Sequence, residues 1–257
     1  MVKPTYEQRR MSFGSAARDY AQFRPGYPPA AVDWVLAAGV GHINRVVDVG
    51  AGTGALTAEL VGRSLDVDAI EPDAAMLTEL GERVSQARRH VASAEDIPLP
   101  AACADALVVA QAWHWMNAHT AAREFARVVR PGGALGVVWN VRLLECDWMR
   151  ELGALIGGED SMQAAVRVRI ESHDDDAIVL GEHWSLPERG EFRHHVEMTA
   201  DSLVRLVDTY SYVRLRDDRD EVLAQVHRIA TEHPDLAGHA TFAMPYVTVA
   251  YRATRVS

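Results

Sequence analysis

The run VVDVGAGTGALT, residues 46–57, sets Gly50, Gly52 and Gly54 at alternate positions between an apolar strand pattern and a helix pattern. Glycines so spaced let a ligand approach backbone amides at the start of a helix. Two ligand chemistries fit. Gly50, Gly52 and Ala55 satisfy G-x-G-x-x-A, the loop that cradles a dinucleotide pyrophosphate, with Glu71 ending the next strand where it would bind a ribose diol. The other ligand is S-adenosylmethionine, which has no phosphate but carries an ammonium and a carboxylate at its methionine end. It needs an acceptor beside the loop, and Asp48, two positions before Gly50, supplies one. The same acid weakens a pyrophosphate site. Glu71 serves either ligand, because an ionised carboxylate only accepts hydrogen bonds and both ligands present a ribose.

The elements around this loop alternate. Residues 28–41 open with prolines and end with glycines, the punctuation of a helix. RVVDVG is a strand, and GALTAELVGR is a helix with Leu56, Leu60 and Val61 on one side. DVDAIEP is a second strand stopped by Pro72. Asp73 caps a helix whose Met76, Leu77, Leu80 and Val84 share a face. A short strand is expected near residues 90–93. ALVVAQA, residues 106–112, is continuously apolar, as a strand buried on both faces would be. A helix over 117–129, a turn at RPGG (130–133) and a strand ALGVVWN follow. This order predicts an α/β fold, a mostly parallel sheet with helices on both faces.

Gln111 falls at the C-terminal end of the fourth strand, where ligands bind in such sheets. Trp113, His114 and Trp115 follow it. Three bulky rings at a loop start are costly to expose and predict a lined pocket, with His114 the candidate general base. After Asn140 the rhythm changes: a helix over 148–156, irregular acidic sequence over 157–190, a strand over 192–198, a helix from 201 and a last strand over 242–253. The expected division is an N-terminal lid and core over 1–140, a cap over 141–190, and 191–257 completing the core sheet.

A net charge of -10, with arginines interleaved among acids as in RLRDDRDE, excludes an obvious phosphate-binding face, so no nucleic-acid partner is expected. No stretch is apolar enough to span a bilayer, so no membrane partner is expected either. Two cysteines, Cys103 and Cys146, lack metal spacing; no metal site is expected, and reduced thiols predict a cytoplasmic protein. The expected assembly is a monomer or homodimer.

VVDVGAGTG, AIEPDAAML, SAEDIPLPAACADALVVAQAWHWM and REFARVVRPGGALGVVWN resemble, in order, the motifs of class I S-adenosylmethionine-dependent methyltransferases. They are most similar to the small-molecule group that includes the trans-aconitate methyltransferase-like proteins. FGSAARDYAQFRPGYP and MPYVTVAYRA resemble that group's two ends. The resemblance implies a Rossmann-like seven-stranded sheet with a helical lid, S-adenosylmethionine as cofactor and S-adenosylhomocysteine as product. The acceptor would be a small molecule methylated on a carboxylate, hydroxyl, amine or carbon. It also implies a cofactor set of Tyr20, Arg24, Asp48, Gly50, Gly52, Gly54, Glu71, Pro72, Met76, Ser93, Ala94, Glu95, Ile97 and Gln111. Tyr27, Trp113, Trp115, Trp139, Asn140 and Arg142 would border the acceptor. The family often has an acid or amide where Ser93 stands, which leaves adenine recognition to Ala94 backbone, Glu95 or Asp96. Two other readings stand beside this one: a binding protein for the cofactor without catalysis, and, more remotely, an NAD(P)-dependent oxidoreductase.

Overall fold

The computed structural model describes residues 22–156 and 178–256. They form two compact units, each discontinuous in sequence. A sheet unit takes in residues 26–140, 178–192 and 248–256, and a helical unit takes in 22–25, 141–156 and 193–247.

The sheet has seven strands in the order β3-β2-β1-β4-β5-β7-β6. They are β1 (Arg45–Val49), β2 (Asp66–Ile70), β3 (Arg88–His90), β4 (Ala104–Ala110), β5 (Val129–Arg142), β6 (Glu188–Met198) and β7 (Phe242–Thr254). β1 pairs in parallel with both β2 and β4, so that Val47 lies between Asp68 and Leu107. β2 with β3 and β4 with β5 are also parallel. Consecutive residues Val46 to Val49 and Ala106 to Val109 are all buried, so both faces of the central strands are covered. The helices of this unit are α1 (Pro29–Leu36), α2 (Ala55–Val61), α3 (Ala74–Arg83) and α4 (Ala118–Val128). Asp73 caps α3 by accepting from the amides of Ala75 and Met76, and Asn117 caps α4 by accepting from Thr120.

Two elements differ from the sequence reading. The expected turn RPGG lies within β5. Ala104 pairs with Val129 but Ala106 with Ala134, so residues 130–133 bulge out of a strand that continues past them. Asp105 fastens the bulge, with Oδ1 accepting from Arg130 Nε at 2.7 Å and Oδ2 from the amides of Asn44 and Arg45. The second difference is β3, which sits over 88–90 rather than 90–93. Its position is set by charge. Arg88 and His90 reach the fully buried Asp68 at 2.9 and 3.0 Å, and Arg45 reaches it from β1 at 2.8 Å. Burial pushes the Asp68 carboxyl up, but the hydrogen bonds from Arg88, Arg45 and His90 outweigh it and hold it at about 2.

The helical unit holds α5 (Asp147–Ile156), α6 (Ala200–Asp208), α7 (Ser211–Arg214) and α8 (Arg219–Glu232). Trp148, Leu152, Leu203, Leu206 and Val226 form its core. Thr199 and Ser202 make a reciprocal capping box at the start of α6. Among the described residues no helix is long and apolar enough to cross a membrane.

Candidate functional site

β1 ends at Val49, and the chain turns through Gly50, Gly52 and Gly54, all at positive φ (69°, 54° and 84°), into α2. The turn is fixed by β2, because Ile70 O accepts from the amides of Gly50 (2.8 Å) and Ala51 (3.1 Å). At Gly50 a side chain is excluded by packing: a Cβ there would lie 2.4 Å from Ala112 Cβ, so the segment after β4 lies against the loop. At Gly52 the situation is opposite. A Cβ would meet only Met76 Sδ at 3.9 Å, so the backbone of Gly52 faces space bordered by the first turn of α3.

Among the described residues, two polar atoms beside the loop are buried without partners. Asp48 is fully buried; its Oδ2 accepts from Thr57 Oγ1 at 2.6 Å, but its Oδ1 has no hydrogen bond. Thr53 Oγ1 is likewise unpartnered. Such atoms are costly to bury unless something supplies the missing bond. Burial pushes the Asp48 carboxyl up to about 7, raised further by Glu71 and opposed by the Thr57 hydroxyl. An ammonium at Oδ1 would supply both a donor and a compensating charge. These residues therefore fit the methionine end of S-adenosylmethionine. They fit a pyrophosphate poorly, since an acid sits where anionic oxygens would go.

Glu71, at the end of β2, accepts from Gly52 N through Oε2 and from Asp73 N through Oε1, both at 3.0 Å. It thus ties the glycine loop to the cap of α3. Met76 is buried on α3 facing Gly52, and Pro72 is exposed beside Glu71. Ala94 and Ile97 are buried. Ser93 is half-buried, its carbonyl accepting from Asp96 N. Glu95 is drawn to the start of α4, where Oε1 accepts from Asn117 N at 2.8 Å, and the Ile97 amide donates to Glu124.

Gln111 has φ 57°, and its Nε2 donates to Asn140 O at 3.1 Å. The other two non-glycine residues at positive φ, Ser64 and Ala102, are exposed; Gln111 alone among the three sits partly buried at a strand end. Strain of about 1–3 kcal/mol at such a place is characteristic of ligand sites. The 3-10 turn Trp113–Trp115 follows. His114 Nδ1 is buried without a partner among the described residues, its ring 4.9 Å from Trp115, and burial pushes the imidazole down to about 4.

The remaining expected residues have the following surroundings. Trp113 packs into the core against Phe125, centroids 6.1 Å apart, rather than lining a mouth. Tyr27 belongs to the core of the sheet unit. The Asn140 amide is engaged within that unit: Nδ2 donates to Gly26 O (2.9 Å) and Oδ1 accepts from Thr248 Oγ1 (2.6 Å). Trp139 is buried edge-on to Tyr251, with its Nε1 unpartnered. Arg24 is held in the helical unit by Thr209, through Oγ1 at 2.9 Å and the carbonyl at 3.1 Å, and lies over the Tyr210 ring. Arg142, also in that unit, reaches Tyr212 Oη at 3.4 Å. Tyr20 lies outside the described residues. Among those residues no group of three or more histidines, cysteines, aspartates or glutamates is placed to hold a metal. Thr53 and Thr57 were not expected at the site. Their spacing from Asp48 across a strand–loop–helix junction was the available signal.

A methyltransferase domain model matches residues 47–137, which span the glycine loop, Glu71 and the β4–α4 segment. An "uncharacterized methyltransferase" of Mycobacterium tuberculosis is 42% identical over 246 residues, 95% of this chain and 96% of that relative. A methyltransferase-like protein of Schizosaccharomyces pombe is 24% identical over 95% of both chains. A solved structure from Anaeromyxobacter dehalogenans, described as a type II methyltransferase, superposes with a TM-score of 0.61. It is 24% identical and covers 91% of this chain and 98% of its own. A structure from Anabaena variabilis, 14% identical, gives a TM-score of 0.56 and covers 86% of this chain and 95% of its own.

Proposed function

The chain belongs to the class I S-adenosylmethionine-dependent methyltransferases, and we propose that it methylates a small-molecule acceptor and releases S-adenosylhomocysteine. The observation that carries the cofactor assignment is the pair of buried oxygens without partners among the described residues, Asp48 Oδ1 and Thr53 Oγ1, beside Gly52, whose backbone faces open space. Asp48 would hold the ammonium and Glu71 the ribose hydroxyls. Met76 and Ile97 would pack on the adenine. When bound, the cofactor supplies a methyl on a positively charged sulfur; the acceptor's electron pair forms the new bond as the carbon–sulfur pair departs with sulfur.

Because the leaving group becomes neutral, no acid is needed to help it go. The residues' main contribution is then to fix the geometry, which is worth up to about 7–11 kcal/mol. His114 stays neutral at pH 7, but a pKa near 4 makes it a weak proton acceptor, so a hydroxyl or amine acceptor would gain little from it. An acceptor that arrives ionised, or reacts through carbon, suits this site best.

Calorimetry with S-adenosylhomocysteine tests the reading. Wild type should bind, and Glu71→Ala combined with Gly52→Val should abolish binding while the fold persists by circular dichroism. No binding by wild type, or undiminished binding by the double variant, sinks it. Cofactor binding with no turnover in a broad labelled-methyl screen would favour a non-catalytic binding protein.

A further inference from the structure

The helical unit holds a partly buried cation whose bonding is incomplete among the described residues. Arg142 ends β5, and its Nη2 donates to Tyr212 Oη at 3.4 Å. Its Nη1 is buried and has no hydrogen-bond partner among the described residues. Its guanidinium carbon stands 5.2 Å from the centroid of Tyr210, and Arg24 stands over the same ring at 4.6 Å. Tyr210 and Tyr212 stack at 5.4 Å, and Tyr246 is buried beside His194 at 5.7 Å. No described carboxylate lies within ion-pair distance of Arg142, in contrast to Asp68, Asp105 and Asp208, each of which has an arginine of its own. The Arg142 guanidinium cannot shed its charge. A partly buried arginine bordered by phenols, with one buried nitrogen lacking an acceptor among the described residues, is costly to keep unless an anion completes it.

We propose that Arg142, with Arg24 and the Tyr210, Tyr212 and Tyr246 phenols, binds the carboxylate of a small organic acid. A planar carboxylate can take two parallel bonds from a guanidinium. One incompletely bonded guanidinium matches a single negative charge better than a phosphate dianion.

The test is calorimetry on the full chain with benzoate, its neutral isostere benzamide, and inorganic phosphate. Benzoate should bind at least about tenfold more tightly than benzamide, the discrimination expected of a charged hydrogen bond. It should also bind more tightly than phosphate. Arg142→Gln should lose about tenfold or more for benzoate yet keep its affinity for S-adenosylhomocysteine. Arg142→Met should melt no lower than wild type, because it removes an uncompensated cation; this keeps the test clear of misfolding. Equal affinity for benzoate and benzamide, no binding of either, tighter binding of phosphate, or full benzoate affinity in Arg142→Gln overturns the proposal. Failure of S-adenosylhomocysteine to bind wild type would instead strike the methyltransferase reading.

Discussion

The protonation of Asp48 makes cofactor binding pH-dependent. The carboxyl is fully buried, has one hydrogen bond at Oδ2 and none at Oδ1, and burial holds its pKa at about 7. An ammonium at Oδ1 needs the carboxylate ionised, so below neutrality binding must expel a proton. The apparent affinity then falls by the factor 1 + 10^(pKa − pH), which between about pH 7.5 and about pH 5.5 amounts to about 25-fold. Calorimetry with S-adenosylhomocysteine in two buffers of different ionisation heat should show this loss and release of close to one proton at the lower pH. Asp48→Asn cannot titrate. It should give a flat profile and bind about tenfold or more weakly at the upper pH. A flat wild-type profile, or the same slope in Asp48→Asn, would refute the reasoning. The stability sign is opposite to that of an ordinary ion-paired acid. Between about pH 4 and about pH 7 the folded chain keeps a proton that the unfolded chain has lost. The ligand-free protein should therefore lose stability as pH rises through that window and level off above it, a slope missing in Asp48→Asn.

Two further outcomes follow from the packing. Gly50→Ala combines a left-handed backbone with a Cβ 2.4 Å from Ala112 Cβ, and should cost about 2–4 kcal/mol in denaturant unfolding. A loss under about 1 kcal/mol would mean that the β4–α4 segment yields freely. Asp68→Ala leaves Arg45, Arg88 and His90 facing a buried hole and should cost about 3–5 kcal/mol at pH 7. Because the Asp68 pKa is depressed, the wild type's advantage is complete above its ordinary value near 4 and should fade as acid is added toward about pH 2.

The glycine loop, Asp48 and Glu71 were legible in the sequence because their causes are local. Alternate glycines at a strand–helix junction have few other uses, and an acid inside a strand that reads VVDV has to be buried. The central strands were legible from continuous apolar runs. β3 was displaced because its residues are charged and its position is set by Asp68 on β2, which no periodicity reports. Asn140 looked like a wall residue from its polarity at a strand end, and Tyr27 from the resemblance of the N-terminal segment. Asn140 instead spends its amide on Gly26 and Thr248, distant in sequence, and Tyr27 is core. Arg142 drew attention as a guanidinium at a strand end. Its phenol surroundings did not, because Tyr210, Tyr212 and Tyr246 reach it only through the fold.

The strand order has a consequence for how the chain is made. β7 is the last strand in sequence, yet it lies between β5 and β6. On the ribosome the open side of β5 must wait for about 100 more residues before its neighbour emerges, roughly 5–20 s of synthesis. Throughout that interval an apolar strand presents unpaired amides and carbonyls, the template on which chains aggregate. A lesion in residues 242–254 therefore strikes the middle of the sheet and leaves β6 with nothing to join.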